Sequence, residues 1–431
     1  MDAKELIESI GEEKRIAIEN GVLREEKKLA PIKDNEIPRK LPQGWEWCRL
    51  GDYAMKVTDY VASGSFASLK ENVLITNEEN YAVMVKTADF SNGFSKNLTY
   101  TDEKGYRFLE NSNLLGGELI LSNIGSIGKV FIVPDLNRPM TLASNTIMIR
   151  MTHNDYNKYM YYLFLSPYGQ GLLQSISSGT SMLKFNKTQL KSTIIPIAPL
   201  ETQNRICSVL DRLQSVINAR TAELNKLDEL IKARFVEMFS GESNMMKMSN
   251  VCSIITDGTH QPPKFVTEGI PFIFVSNVVN DKLTYDAEKF ITQETYDELI
   301  KRTPIEIGDV LLSTVGSYGH PAVVESDTKF LFQRHIAYLK PKKEIIDSHY
   351  LHGALLSPES QRQIEEGVKG IAQKTLNLSE IKKMVIPVPD LSRQKQFSGF
   401  VKQVDKSKLA LQQSLDETQL LFDSLMQEYF G

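Results

Sequence analysis

Two short glycine-framed loops, Gly125-Ser-Ile-Gly128 and Gly316-Ser-Tyr-Gly319, have the residue types to cradle a phosphate on backbone N–H groups. A nucleotide-binding loop of that kind needs a Lys-Ser/Thr pair behind its glycines, opening a helix. Strand-like residues follow here instead, so a tight β-turn is the competing reading. Glycine in such a turn still lets a nucleic-acid backbone come close. Gln261-Pro-Pro-Lys264 has the outline of the Asn/Asp-Pro-Pro-aromatic signature of amino-methyltransferases, but its first residue is neither Asn nor Asp and its fourth is not aromatic. It reads as a proline-stiffened loop after Asp257-Gly-Thr-His260. His349 and His352 stand one helical turn apart, yet no Cys or carboxylate cluster is placed to complete a metal site. His260, His320 and His335 fall in loops or strand ends. Asp102-Glu-Lys104 is the nearest approach to a nuclease carboxylate–lysine set, and it lacks a flanking strand. No Ser/His/Asp or Cys/His signature stands out. The expectation is therefore no catalytic residue and no metal ligand, which favours a binding scaffold over an enzyme.

Composition sets wide bounds. A chain of 431 residues with 41% apolar residues has enough to build two or three cores. The net charge of −4 gives no global attraction to a polyanion, although phosphate contacts need only a local basic face. No apolar run reaches the roughly 18 residues of a membrane span, and the charged start Met1-Asp-Ala-Lys-Glu-Leu-Ile7 is not a signal peptide. Cys48, Cys207 and Cys252 fit no metal spacing, and so sparse and odd a set suits a reducing cytoplasm.

The elements that must position any binding residues come in duplicate. Tyr159–Gln203 lies over Tyr350–Gln394 without a gap at an offset of 191 residues, and 12 of the 45 pairs are identical. The same offset superposes the two glycine loops together with the strand-like runs before them. A period this long exceeds any solenoid repeat and reads as a duplicated module of one globular domain plus one helix. We expect an α+β chain in five parts: a helical prefix and linker (1–40), a first domain (41–199), a long helix (200–240), a second domain (244–390) and a second long helix (391–431). A solvated tail is the alternative for the prefix. Strands are expected at Tyr81–Val85, Glu118–Ser122, Lys129–Val133 and Thr146–Arg150, then at Pro271–Val275, Asp309–Ser313, Pro321–Glu325 and His335–Leu339. Helices are expected at Tyr156–Leu173 and His349–Leu356.

In the first long helix Leu210, Leu213, Ile217, Leu224, Leu227, Ile231 and Met238 occupy heptad slots, with Arg220 and Arg234 filling the gaps. Val401, Val404, Leu411, Leu415, Phe422, Leu425 and Tyr429 do the same in the second, with Lys408 and Thr418. Such seams need a partner surface. They would pack on each other, antiparallel because the chain returns, and about 40 residues at ~1.5 Å rise would form a rod of roughly 60 Å with a domain at each end. Otherwise each helix docks on its own domain. The first arrangement makes a pseudo-two-fold molecule.

Several segments in this order resemble one known family, the DNA-specificity subunits of type I restriction-modification systems. Leu41-Pro-Gln-Gly-Trp-Glu-Trp-Cys-Arg-Leu-Gly-Asp52 is similar to the start of that family's target recognition domain, as is Val251-Cys-Ser-Ile-Ile-Thr-Asp-Gly-Thr-His260 with Gly269-Ile-Pro-Phe-Ile-Phe-Val-Ser-Asn277. Gly308-Asp-Val-Leu-Leu-Ser313 with Gly316–Gly319 resembles its mid-domain strand and turn. Ile195-Pro-Ile-Ala-Pro-Leu-Glu-Thr-Gln203 and Ile386-Pro-Val-Pro-Asp-Leu-Ser-Arg-Gln394 resemble its lead into the conserved helices, with Thr202 and Arg393 replacing the usual Glu. The resemblance implies two target recognition domains, each reading one half of a bipartite site in double-stranded DNA, with antiparallel helices setting the spacer. It implies docking of two methyltransferase subunits and of motor-nuclease subunits. It places S-adenosylmethionine, ATP and Mg²⁺ on those partners, with no cofactor or small-molecule substrate on this chain.

Base edges are read by forked donors and acceptors, and phosphates are held by cations, hydroxyls and backbone amides. On that basis the DNA-binding residues expected in the first domain are Lys86, Thr87, Ser122, Asn123, Ser126, Ser144, Asn145, Gly179, Thr180, Ser181 and Lys184. In the second they are Thr259, His260, Lys264, Ser276, Asn277, Ser313, Thr314, Ser317, Tyr318, Gln333, Arg334, Gln373 and Lys374. Two other functions stay open at this point: a coiled-coil adaptor with two protein-binding heads and no DNA, and a restriction or modification enzyme with its own active site.

Overall fold

The computed structural model describes residues 1–180, 182–370 and 374–431. It divides into two compact units, residues 1–217 with 417–431, and residues 218–416.

In the first unit an antiparallel sheet runs in the order Lys56–Asp59, Thr146–Arg150, Leu119–Ser122, Val130–Ile132. Its central strands are buried on both faces, which is why they read as continuous apolar runs rather than as alternating ones. Leu119, Leu121, Ile147 and Ile149 face a core shared with the helices. Ile120 and Met148 face a second sheet, ordered Tyr100–Thr101, Ala82–Val85, Met140–Leu142, Asn113–Leu114. Ala82–Val85 and Met140–Leu142 are parallel neighbours. Glu46–Arg49 pairs antiparallel with Ile194–Ile197, joining the two ends of the domain.

The second unit repeats this plan. Its main sheet is Cys252–Asp257, Ile336–Pro341, Val310–Ser313, Pro321–Val323, with Val310, Leu312, Ala337 and Leu339 towards the helices and Leu311, Ile336 and Tyr338 towards the smaller sheet. The smaller sheet holds the parallel pair Ile270–Ile273 and Leu331–Phe332. Met245–Lys247 pairs with Val385–Pro387 as the joining strands. The ladders align the two units residue by residue: Asp59 and Leu121 both oppose Ile147, as Asp257 and Leu312 both oppose Ala337.

Several identical residues of the repeat make matching hydrogen bonds in the two units. The Gln170 amide donates to Gly128 O (2.9 Å) and Phe164 O (2.6 Å); Gln361 donates to Gly319 O (2.9 Å) and Leu355 O (2.8 Å). Tyr159 OH donates to Pro196 O and Tyr350 OH to Pro387 O, each at 2.8 Å. Gln203 and Gln394 donate to Ala198 O and Pro389 O, again at 2.8 Å. The single helix expected at Tyr156–Leu173 is two, Asn154–Leu165 and Pro167–Ser175. Proline cannot continue a helix but suits its first position, and Ser166 caps the new one by accepting from Gly169 N at 3.1 Å. Ser357 and Pro358 open Pro358–Gly367 in the same way.

The long helices are Leu200–Phe239 and Leu391–Phe430. Within the first unit the start of one (Leu210, Leu213, Ile217) shares a core with the end of the other (Phe422, Leu425, Tyr429). Within the second unit Ile231 and Met238 share a core with Val401. The helices are thus antiparallel in each unit. Val404 is buried, and Leu224, Leu227, Leu411 and Leu415 are half-buried without joining a domain core. Two of the polar heptad slots are bonded across the helices: Arg220 donates to Ser414 O and Lys408 pairs with Asp228. Both expected arrangements therefore contribute: the helix ends enter domain cores, and the middle residues form a seam.

The charged prefix is not a tail. Ala3–Glu19 is a helix capped by Asp2, with Ala3, Leu6 and Ile10 buried, and Lys14 Nζ donates to Gly51 O at 2.7 Å. All three cysteines are buried free thiols whose pKa is pushed up to about 12, mainly by desolvation. No helix among the described residues is long and apolar enough to cross a membrane.

Candidate nucleic-acid interface

The expected polar residues converge because three chain segments are stitched together at one end of each main sheet. In the first unit Asn123 N donates to Asn145 O (3.3 Å), Phe185 N to Asn123 O (3.1 Å) and Gly125 N to Leu183 O (3.1 Å). In the second unit Thr314 N donates to His335 O (2.9 Å) and Leu376 N to Thr314 O (2.8 Å), while Val315 bridges Thr375 as Ile124 bridges Lys184. The parallel strands of the smaller sheet end at the same junction: Ala143 N donates to Val85 O, and Gln333 N to Ile273 O. The glycine loop, the returning strand and the helix-linked hairpin thus form one surface in each domain.

On that surface in the first domain, Ser126, Ser144, Asn145, Gly179, Thr180 and Lys184 are exposed. Asn145 and Gly179 adopt positive-φ backbone conformations (φ 67° and 120°). Lys86 and Thr87 are half-buried, and Lys86 Nζ donates to Thr99 Oγ1 at 2.7 Å. Asn123 stitches the junction through Nδ2 to Phe185 O (3.0 Å). In the second domain His260, Lys264, Ser276, Ser317, Arg334 and Lys374 are exposed, and Thr259, Tyr318 and Gln333 are half-buried. Lys374 pairs with Glu365 at 3.0 Å, and the same carboxylate accepts from Tyr318 OH at 2.6 Å. Ser181 and Gln373 lie outside the described residues.

Four of the expected residues do not present a side chain to a ligand. Ser122, Asn277, Ser313 and Thr314 are all buried. Ser313 Oγ accepts from His320 N at 3.0 Å, and Asn277 bonds Phe274 N and Asp286 O inside its own turn. A small polar residue at a strand end satisfies orphan backbone groups as readily as it contacts a ligand, and only the fold separates the two.

The glycine loops are turns and not nucleotide cradles: Gly125, Gly128, Gly316 and Gly319 all have positive φ, and no helix opens behind them. The histidine pair is divided in its contacts, with His352 Nε2 donating to Asp281 O at 2.9 Å and His349 3.8 Å from Glu325. No group of His, Cys, Asp and Glu able to hold a metal occurs among the described residues.

Two ion pairs at the same sheet end lie outside the expected set. Asp59 holds Lys187 at 2.9 Å, and Asp257 holds Arg302 at 2.7 Å with His260 3.0 Å away. The sequence carried a trace of them: in each domain the first strand of the main sheet ends on aspartate.

The type I restriction modification DNA specificity domain matches residues 42–229 and again 242–418. The specificity subunit of type I restriction enzyme EcoBI from Escherichia coli is 24% identical over 300 residues, 62% of this chain and 63% of the relative. That of EcoAI from the same organism is 27% identical over 248 residues, 54% and 40% of the two lengths. That of MjaVIII from Methanocaldococcus jannaschii is 23% identical over 401 residues, 85% and 87%. The chain spans less than two thirds of the length of the two E. coli relatives. Among solved structures, a chain from work on assembly and conformational transition of the type I R-M system shares the fold with a TM-score of 0.55 and 19% identity, over 91% of this chain and 99% of that one. The type I S subunit from M. genitalium gives 0.51 and 14%, over 91% and 98%. Two family matches that together cover most of the sequence, one on each repeat, show that this chain belongs to the type I restriction modification DNA specificity family.

Proposed function

We propose that the chain is the specificity subunit of a type I restriction-modification complex, with each domain reading one half of a bipartite site in double-stranded DNA. The observation that carries this reading is the pattern of likeness within the chain. The interior hydrogen bonds of Gln170/Gln361 and Tyr159/Tyr350, and those of Gln203/Gln394 to Ala198 O and Pro389 O, match in the two units, while the loops at the shared sheet end differ in length and chemistry. A common scaffold with divergent loops suits two half-sites of different sequence. The long helices would hold the halves apart, set the spacer and dock two methyltransferase subunits, with motor-nuclease subunits joining through them. S-adenosylmethionine, ATP and Mg²⁺ would sit on those partners, and the complex would work in the cytoplasm. The adaptor reading gains no observation of its own from the geometry.

The test is sequencing-based detection of modified adenine in DNA from cells that express the chain with its neighbouring methyltransferase. The expected result is a split motif, two short defined blocks around a fixed gap, that disappears without the chain. Active methyltransferase with no methylation dependent on this chain would overturn the proposal.

A further inference from the structure

The ion pairs Asp59–Lys187 and Asp257–Arg302 join equivalent carboxylates to cations from different parts of the fold. Asp59 and Asp257 are equivalent by ladder register, the last residues of equivalent strands, opposite Ile147 and Ala337. The buried ion pairs of the main sheets, by contrast, keep equivalent partners. The buried carboxylates Glu118 and Asp309 stand at the same position of the repeat, and their cations, Arg150 and Lys340, occupy the same place in the neighbouring strand. At the strand-end aspartates the carboxylate stays and the cation changes its source. Lys187 comes from the helix after the hairpin, where the second unit has Leu378. Arg302 comes from a 3₁₀ turn before the mid-domain strand. The charge pair is thus kept while its cation is drawn from a segment that differs between the domains.

The pairs are also built to present a cation. Each carboxylate is mostly buried (14% and 17% exposed), while the cations reach out, Lys187 at 31% and Arg302 at 53%. Lys187 Nζ uses one of its donors on Asp59. Arg302 uses Nη2 on Asp257, and among the described residues its Nη1 and Nε have no hydrogen-bond partner. In the second domain Gly258 makes the approach possible: a Cβ there would lie 2.2 Å from Phe332 O, and without it residues 258–260 run against 332–334, through Thr259 N to Phe332 O and Arg334 N to Thr259 O. That ties the segment just after Asp257 to the backbone of Arg334.

Resting on the DNA-reading function proposed above, we infer that Asp59 and Asp257 are positioning residues for base recognition. Each orients one cation, Lys187 or Arg302, whose remaining donors take O6 and N7 of a guanine in that domain's half-site. Arg and Lys are the side chains that read the guanine major-groove edge, and a carboxylate behind the cation removes the rotamer freedom that would blur the reading. It also explains why an acidic group stands on a surface meant for a polyanion.

The experiment maps the methylated-adenine motif in cells carrying the full chain with its methyltransferase, for wild type and for Asp257→Asn, Arg302→Gln, Asp59→Asn and Lys187→Gln. Asp257→Asn and Arg302→Gln should both relax the same G·C position in one block, about ten-fold or more, and leave the other block unchanged. Asp59→Asn and Lys187→Gln should do the same in the other block. A uniform fall in methylation at an unchanged motif would mean a structural ion pair and overturn the inference. So would relaxation by Arg302→Gln without any by Asp257→Asn. Arg302→Gln alters an exposed side chain and keeps the question decidable if an aspartate variant fails to fold. A wild-type chain that directs no split motif would sink the underlying reading, and this inference with it, before any variant is compared.

Discussion

Replacing Gln361 by alanine should loosen the second domain's glycine loop and leave the first domain's loop as it was. The Gln361 amide holds two carbonyls, Gly319 O at the end of the loop and Leu355 O near the end of the preceding helix, at 2.9 and 2.8 Å. Each lost hydrogen bond costs about 1 kcal/mol, and the removed methylene adds up to roughly 0.8 kcal/mol. The total is about 2–3 kcal/mol. The loss should concentrate where the loop closes, at the amides of Gly319, which donates to Ser313 O, and His320, which donates to Ser313 Oγ. Hydrogen exchange reads this directly: those amides should exchange roughly 30- to 150-fold faster, since each ~1.4 kcal/mol is a factor of ten. Gln170→Ala should produce the mirror effect around Gly128. Unchanged exchange at Gly319 and His320, or acceleration spread evenly over both loops, would refute the idea that one glutamine in each domain fixes its loop.

Three further outcomes follow from the packing. Phe397→Ala and Phe430→Ala each remove a fully buried ring stacked near Tyr350 or Tyr159, and should cost about 3–5 kcal/mol in denaturant unfolding, while Leu420→Ala on the open helix face should stay within about 0.5 kcal/mol. Desolvation lowers the pKa of His352, so the neutral ring stabilises the fold above its unfolded value of ~6.5, and that contribution is lost as the pH falls below it towards the depressed value. Urea midpoints at pH 7 and pH 5 should therefore drop further for wild type than for His352→Gln, which keeps a donor for Asp281 O; equal drops would count against it. Inserting four residues into both long helices should lengthen the spacer of the recognised DNA without altering either half-site, read as a change in the methylated motif, and an altered half-site would contradict the division of labour between domains and helices.

The duplication and the long helices were legible because they depend on patterns that a sequence displays: a fixed offset, and apolar residues at heptad spacing that turn out buried or half-buried. The four-residue strands Leu119–Ser122 and Val310–Ser313 were legible as unbroken apolar runs. Lys56–Asp59 and Cys252–Asp257 were not, since they edge the main sheet and mix polar with apolar residues. The break at Ser166-Pro167 was written in the sequence and outweighed by the Tyr- and Leu-rich run around it. The interface was legible as a set of loops and much less so residue by residue. Serine or asparagine at a strand end looks the same whether it points out, as Ser144 does, or closes the backbone, as Ser313 does.

The repeat offers a control that a single domain lacks. Where both copies keep a residue and its partner, as with Gln170 and Gln361, the simplest cause is the shared scaffold, because the copies have the same fold to maintain. Where both keep neither, as in residues 60–66 against 258–265, the divergence alone says little, since any unconstrained surface drifts. The informative case is the third, a residue kept with its partner exchanged. Scaffold residues exchange partners too, since Gln203 bonds Tyr53 OH where Gln394 bonds Ile345 O, but those partners are uncharged, whereas the strand-end aspartates each keep a cation that reaches solvent. An aspartate that persists while its cation moves from a helix start to a 3₁₀ turn points to a task that is constant in kind and different in content, which is what reading two unlike half-sites demands.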